Sequence, residues 1–483
     1  MKLVLGFWVL VGFVGWCWWK RKSKKRLENK AAIPRGSSGW PLIGETLDFI
    51  ASGYTSRPVS FMEKRKALYG KVFRSHILGV PIIISTDPDV NKVVLQNNGS
   101  IFIPFYPKSI TELLGKSSIL QMNGNLQKRV HGLIGSFLKS PQLKARITRE
   151  IEKAVDQTMG TWKEGNLVYM QEETRNITFQ VLVKALMSVG PGEDLQFLRR
   201  EFGEFIKGLV CLPIKLPGTR LYKSLKAKER LLKMVRRIVE EKKMKMENTD
   251  ERGPPMDAVD VLLCDSGEAA DEKQRLPLDF ISGNIIGMMI PGEDSVPMLM
   301  TLAIKYLSDS PLALRQLQEE NMELKRRKAH LGEDYAWTDY MSLPFTQNVI
   351  NETLRMANII NAVWRKTLKD IEIKGYFIPK GWCVLASFVS VHMNEENYED
   401  PYRFDPWRWE RKGGNFNYNN CFTPFGGGQR LCPGFELSRL EVSIFLHHLV
   451  TRYRWVAEED CIVNFPTVKM KRKLPVVVTS ISS

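Results

Sequence analysis

The residues of this chain best placed to do chemistry surround one thiol. In FTPFGGGQRLCPGFELSRLE, Phe422 to Glu441, Cys432 follows a glycine-rich turn carrying Arg430 and precedes a helical run. A zinc site would need further ligands at short spacing, and the nearest other cysteine, Cys421, is too far away for C-x-x-C. A phosphate loop would end in Gly-Lys-Ser/Thr, which this one does not. A disulfide would need an oxidising compartment, and seven cysteines scattered from Cys17 to Cys461 make no paired framework.

Two further groups stand upstream. NETLR puts Glu352 and Arg355 three apart on one helix face, a spacing that alone marks only an ordinary surface ion pair. IPGEDSV, Ile290 to Val296, sets Glu293 and Asp294 beside Ser295 near the middle of the apolar run DFISGNIIGMMIPGEDSVPMLMTLAIKYLSDSP. Charges at that place are expensive in lipid. The run therefore predicts a long helix buried in the protein and distorted where its prolines fall, not a membrane span.

The elements that must position these groups are mostly helices. With 483 residues, 43% of them hydrophobic, the chain can bury a substantial core. The pattern is helical from about Ser109 to Lys245, broken by CLPIKLPGT, an apolar loop that could line an entrance, dip into lipid or simply connect two helices. Polar turn formers from Met246 to Pro277 predict a surface linker with one short helix. KVFRSHILGVPIIIST predicts a hairpin broken at Gly79-Val80-Pro81, and short strands surround DIEIKGYFIPKGWCVLA. The sum is one mainly α domain with a small β portion.

Leu3 to Trp19 is uncharged, long enough to span a bilayer core, and followed by KRKSKKR. It has no A-x-A-like cleavage site, its tryptophans suit an interface, and the basic residues come after it. It predicts a single N-terminal transmembrane helix over 1–19 with the body in the cytosol. A basic, Pro/Gly-rich linker over 20–44 and the main domain over 45–483 follow. The sequons at Asn98, Asn176 and Asn351 are then chance matches. The net charge of +17 lies partly in the basic run and partly in helices where acids interleave, and no nucleic-acid motif accompanies it. A membrane surface or an acidic protein partner accounts for it better than nucleic acid.

At every fixed position, Phe425, Gly428, Arg430, Cys432 and Gly434 match F-x-x-G-x-R-x-C-x-G, the cysteine loop of the cytochrome P450 superfamily. YRFDPWRW matches its F-x-P-x-R-W element with Phe404, Pro406, Arg408 and Trp409. The chain resembles that superfamily over essentially everything after the anchor. The resemblance implies its fold and a haem b whose axial ligand is the Cys432 thiolate. The sulfur would be held deprotonated by the helix that opens at Pro433, shielded by Phe425, with Arg430 and Arg365 pairing with haem propionates. Gln127 and His131 occupy the W/H-x-x-x-R element, so His131 or its neighbour Arg129 stands for another propionate contact. Glu352, Arg355 and Arg408 would form a buried structural network. In the central helix Gly292 would leave room for dioxygen, while Asp294 and Ser295 would relay protons, with serine in place of threonine and Pro291 in place of a small residue.

Through GWPLIGETLDFI, FYPKSITELLGKSSIL, LPIKLPGT and the central helix, the resemblance extends to plant enzymes of brassinosteroid biosynthesis, most of all the carbon-23 side-chain hydroxylases. It implies a monooxygenase of the endoplasmic reticulum membrane, taking electrons from NADPH-cytochrome P450 reductase and acting on a steroid. A haem-thiolate isomerase or dehydratase working without O2, a monooxygenase of another apolar terpenoid, and a membrane haem sensor are the competing readings. NADPH-dependent turnover separates the monooxygenases from the others.

Overall fold

The structure is a computed structural model that describes residues 32–481 apart from 56, 98, 249–252, 266–275 and 412–419. The expected anchor over 1–19 and its basic run lie outside the described residues. Ten described helices reach at least 11 residues. In chain order they are α1 (Asn125–Lys139), α2 (Pro141–Met159), α3 (Met170–Met187), α4 (Glu193–Ile206) and α5 (Arg220–Glu247). After them come α6 (Leu278–Met288), α7 (Ile290–Ser308), α8 (Pro311–Leu331), α9 (Pro344–Ala357) and α10 (Phe435–Arg452). Proline occupies the first turn of α2, α8 and α9, where its fixed φ suits a helix and its missing N–H costs nothing. Ser140 caps α2 through Leu143 N–H, and Thr219 caps α5 through Tyr222 N–H.

Strands β1 (Val72–Ile77), β2 (Val80–Ser85), β3 (Phe102–Pro104), β4 (Ala362–Thr367) and β5 (Cys383–Ser387) form one sheet, ordered β1-β2-β5-β4-β3. Only the β2–β5 pairing is parallel. The expected hairpin is present, but its turn is Leu78-Gly79, both at positive φ, while Val80 and Pro81 already belong to β2. Two such residues give the turn a twist that matches the strands. Met246 and Glu247 of the expected polar linker continue α5, and its short helix is Ala258–Cys264.

Within 20–44, residues 35–37 bridge to Arg74 of β1, while Trp40, Leu42 and Ile43 stay exposed. Arg74 N–H donates to Arg35 O at 2.8 Å, Ser37 N–H to Arg74 O at 3.2 Å, and a Cβ on Gly36 would lie 1.9 Å from Arg74 O. Prolines and glycines that forbid a helix thus leave the backbone near Gly36 free to bridge to the edge strand β1.

The core gathers on α10, which is buried on nearly every face from Leu437 to Thr451, the mark of a helix inside a helical assembly. Around it α2, α7, α8 and α9 supply Ile147, Ile151, Leu299, Leu302, Leu317 and Val349, all at most 2% exposed. The central apolar run is broken at Met289, between α6 and α7. Among the described residues no helix is long and apolar enough to cross a membrane. Pro291 explains the break, since it has no N–H for the Gly287 carbonyl. Pro297 repeats the defect inside α7, and the Glu293 carbonyl it leaves unpaired accepts instead from Arg175 Nε of α3 at 3.1 Å.

Candidate active site

Cys432 ends a loop whose backbone is forced close to its neighbours. Gly428 has φ +61°, and a Cβ there would stand 2.4 Å from Leu95 O, so no other residue fits without moving the Pro88–Gln96 helix. The Cys432 N–H donates to Phe425 O at 3.1 Å, closing the loop, and the Phe425 ring lies 6.0 Å from that of Phe435 on α10. Burial pushes the Cys432 thiol up, with the backbone of Gly434 pulling the other way. A bound haem iron would hold this sulfur as a thiolate, because coordination deprotonates a thiol outright.

Arg430 reaches across to the turn before α1. Its guanidinium donates to Ile119 O at 3.2 Å, Leu120 O at 3.3 Å, Met122 O, and Asn123 Oδ1 at 3.0 Å. Arg365 sits on β4 opposite Pro104 of β3 and donates to Trp364 O at 3.0 Å. Both arginines keep a buried Nε with no partner. Burial lowers both, Arg430 to about 10 with Arg365 adding like-charge repulsion. Two desolvated cations with orphaned donors are an incomplete arrangement, and the carboxylates of a haem are groups that would complete it. With a thiol in a glycine cradle and an anion-seeking arginine pair, the residues present fit a haem.

His131 and Arg129 do not enter this pair as expected. His131 donates through Nε2 to Leu431 O at 2.9 Å, bracing the residue before Cys432, and burial lowers its pKa. Arg129 turns to Asp265, at 2.7 Å. The two residues are two apart on α1, about 200° of rotation, so they lie on opposite faces, one serving a loop carbonyl and the other a carboxylate, a division the spacing did not reveal.

Behind the loop lies a charge network. Glu352 Oε1 accepts from Arg355 Nη2 at 2.8 Å and from Arg408 Nε at 2.9 Å. Its Oε2 accepts from Arg355 Nε at 3.0 Å and Trp409 Nε1 at 3.1 Å. The Glu352 and Arg355 side chains are both 0% exposed, so this is no surface ion pair. Asn351, one of the sequons, is equally buried and accepts from Arg439.

His392, which no motif flags, joins this network to the loop. Its carbonyl accepts from Arg355 Nη1 at 2.9 Å, its Nδ1 donates to Asn358 Oδ1 at 2.8 Å, and its Nε2 accepts from Thr423 N–H at 3.1 Å. That tautomer is neutral, and burial with the Arg355 charge pushes His392 down to about 3. Burial also pushes His447 and His448 down to about 3. A depressed base binds a proton in the unfolded chain before the folded one, so folding loses stability as pH falls from about 6.5 towards 3. His448→Phe, at a ring whose Nε2 has no partner, should reduce the pH slope of the urea midpoint between pH 6 and 5 by about one proton.

Asp294 and Ser295 stand together on α7, both half-buried. Burial raises the Asp294 carboxyl against the pull of Arg175 and Lys469. Its neighbour Glu293, held by Arg175 at 3.0 Å, is pushed up to about 7 by burial. Gly292 does not face open space. A Cβ there would lie 2.5 Å from Leu182 Cδ2 of α3, and its carbonyl accepts from Thr178 Oγ1 at 2.6 Å. Close packing of α7 on α3 requires the glycine, in place of the room for dioxygen expected from the pattern.

The cytochrome P450 family model matches residues 34–477. The Arabidopsis thaliana protein 3-epi-6-deoxocathasterone 23-monooxygenase CYP90C1 is 64% identical, over 99% of this chain and 93% of its own length. A second 3-epi-6-deoxocathasterone 23-monooxygenase of that plant, CYP90D1, is 56% identical over 93% of this chain and 90% of its own. Its 3beta,22alpha-dihydroxysteroid 3-dehydrogenase is 42% identical over 93% of each chain. Among solved structures, retinoic acid bound cyanobacterial CYP120A1 superposes with a TM-score of 0.80 at 24% identity, covering 93% of this chain and 100% of that one.

Proposed function

Because this chain belongs to the cytochrome P450 family, and so is a haem-thiolate monooxygenase, we propose that it hydroxylates carbon 23 of a 3-epi-6-deoxocathasterone-like steroid in brassinosteroid biosynthesis. The observation that carries the substrate is the gradient of identity: 64% and 56% to two 23-monooxygenases against 42% to a 3-dehydrogenase. When bound, the haem supplies the activation of O2 by electrons that a redox partner delivers.

The chain's own residues hold and feed that chemistry. Cys432 presents Sγ, with the glycine cradle and Phe425 fixing the loop around it. Arg365 and Arg430 bind the propionates, and His131 holds the loop through Leu431 O. Asp294, its carboxyl raised by burial, exchanges protons nearer neutrality than a free aspartate and passes them to Ser295 Oγ.

Electrons come from NADPH through NADPH-cytochrome P450 reductase docking on the cysteine-loop side. A cavity of about 550 Å³ beside that loop, lined by Leu95, Phe425, Leu431 and Phe435 together with Lys92, supports a partner there. Residues 1–19 anchor the chain in the endoplasmic reticulum membrane. The connection between α4 and α5 touches the same lipid, a reading supported by Leu212 and Leu216, 75% and 65% exposed. Removing residues 1–26 should release the protein from membranes partly and leave its haem spectrum intact; complete release would take the loop out of the membrane contact.

Reconstitution with the reductase, NADPH and a panel of steroid intermediates, with products identified by mass spectrometry, tests the activity. A 23-hydroxylated product is expected. A 3-ketone would move the site of oxidation, and NADPH-independent rearrangement of a hydroperoxide would make the enzyme an isomerase or dehydratase. In the same assay Ser295→Ala should still bind haem and steroid while NADPH is consumed unproductively, hydrogen peroxide rises and hydroxylated product falls. General acid–base groups are worth about 100- to 10,000-fold. Ser295→Thr should retain most coupling, and unchanged product per NADPH in Ser295→Ala would remove that hydroxyl from the relay.

A further inference from the structure

We propose that Asn284 is a positioning residue for the steroid, holding the turn Ser117–Met122 in place as an apolar wall of the substrate space. The inference rests on the steroid reading given above. Asn284 lies on α6 and is 2% exposed. Its Oδ1 accepts from Ile119 N–H at 2.7 Å, and its Nδ2 donates to Phe280 O at 2.9 Å and to Ser117 O at 3.3 Å. Both receivers of Nδ2 are carbonyls, which only accept, so one orientation of the amide satisfies all three partners.

Arg430 holds the same turn from the other side, donating to the carbonyls of Ile119, Leu120 and Met122. Further peptide groups are closed within the turn. Gln121 and Met122 N–H donate to Ser118 O at 2.8 and 2.9 Å, and Leu120 N–H to Ser118 Oγ at 3.4 Å. A surface loop leaves such groups to water. Here two side chains, one from α6 and one from the cysteine loop, take them up, while the apolar side chains of Ile119, Leu120 and Met122 stay only half-buried. A wall facing an apolar ligand that excludes water needs that division, since a steroid skeleton can bond no peptide group. The position of the turn agrees. Arg430 stands two residues before Cys432, and a Cβ on Gly287 would lie 3.9 Å from Ser118 Oγ, so the turn runs beside α6 near the break that leads into α7 and Ser295. It borders the space between the thiol and the acid–alcohol pair.

The test uses the full-length holoenzyme and two readouts. One is the distribution of steroid products by mass spectrometry. The other is the affinity of clotrimazole, an imidazole with a bulky apolar tail, read from the Soret shift beside that of imidazole itself. Asn284→Leu keeps the volume and removes the acceptor of Ile119 N–H. It should spread hydroxylation from carbon 23 to neighbouring carbons and weaken clotrimazole on the order of 10-fold, the scale of one buried N–H left unpaired. Imidazole, too small to reach the wall, should bind as in the parent. Asn284→Asp keeps an acceptor and should stay within about twofold of the parent on both readouts. Parent-like products and clotrimazole affinity in Asn284→Leu overturn the proposal even if that variant melts earlier, because its role would then be structural alone. An equal loss of imidazole places the effect at the iron and overturns it too, as does an aspartate variant that behaves like the leucine one. A parent that oxidises no steroid removes the substrate reading, and clotrimazole then decides the wall by itself. Should Asn284→Leu yield no holoprotein, Asn284→Ser, whose hydroxyl is too short to reach Ile119 N–H, is held to the same two readouts, and parent-like values overturn the proposal.

Discussion

Cys432→Ala is expected to abolish monooxygenase turnover outright and with it the red-shifted Soret band of the reduced carbon monoxide complex. The sulfur is the only cysteine in the glycine loop, and the backbone around it is closed by the Cys432 N–H bond to Phe425 O. That bond is made by the main chain, so alanine keeps the loop and deletes only the ligand. The paired control is Cys421→Ala. Cys421 is buried against Val391, Tyr398 and Trp409, and its carbonyl, not its thiol, receives the Tyr398 hydroxyl. Its loss should trim stability by a small packing term and leave the band in place. The opposite pair of spectra would reassign the ligand to Cys421.

Glu352→Ala should have the second largest effect, on assembly and not on rate. Five donors converge on that carboxylate: Arg355 twice, Arg408, Trp409 Nε1 and Asp405 N–H. Removing it leaves two guanidiniums buried without their anion, a cost of roughly 3–5 kcal/mol for a broken buried pair. Folded domains have only about 5–15 kcal/mol in hand. Because Arg355 also holds the His392 carbonyl, and His392 holds Thr423 of the cysteine loop, the damage travels to the haem side. Expression should give little holoprotein by the ratio of haem to polypeptide. Full haem occupancy in a normally folded variant would show that the network carries none of this load.

The motifs were legible where chemistry is written into consecutive residues. The cysteine loop, the three-residue spacing of Glu352 and Arg355, and Arg408 could be read because each is short and its residue types are demanding. What lay across the fold was not. His131 and Arg129 are two apart, and only tertiary packing decides that one braces Leu431 O while the other meets Asp265. Gly292 reads as space for a small molecule until α3 places Leu182 against it. The direction of the Cys432 shift depends on how much burial opposes one N–H, a balance that no local pattern encodes. His392 had no signal at all, since a buried neutral histidine and an exposed one look alike in sequence. The hairpin was legible because Gly79 can take the positive φ a tight turn needs, and the distortion of the central helix because Pro291 and Pro297 restrict the backbone directly.

The seam between α3 and α7 has a consequence for how such a chain can change over generations. Pro297 deprives the Glu293 carbonyl of its amide, and Arg175 substitutes for it; Thr174 donates to Pro297 O at 3.2 Å. These positions are therefore epistatic. A lineage that first lost Arg175 would strand a buried carbonyl and be selected against. One that first replaced Pro297 with a residue bearing an N–H would regain the helical bond, after which Arg175 becomes free to vary. The order of the two substitutions, more than their identity, decides whether the intermediate survives.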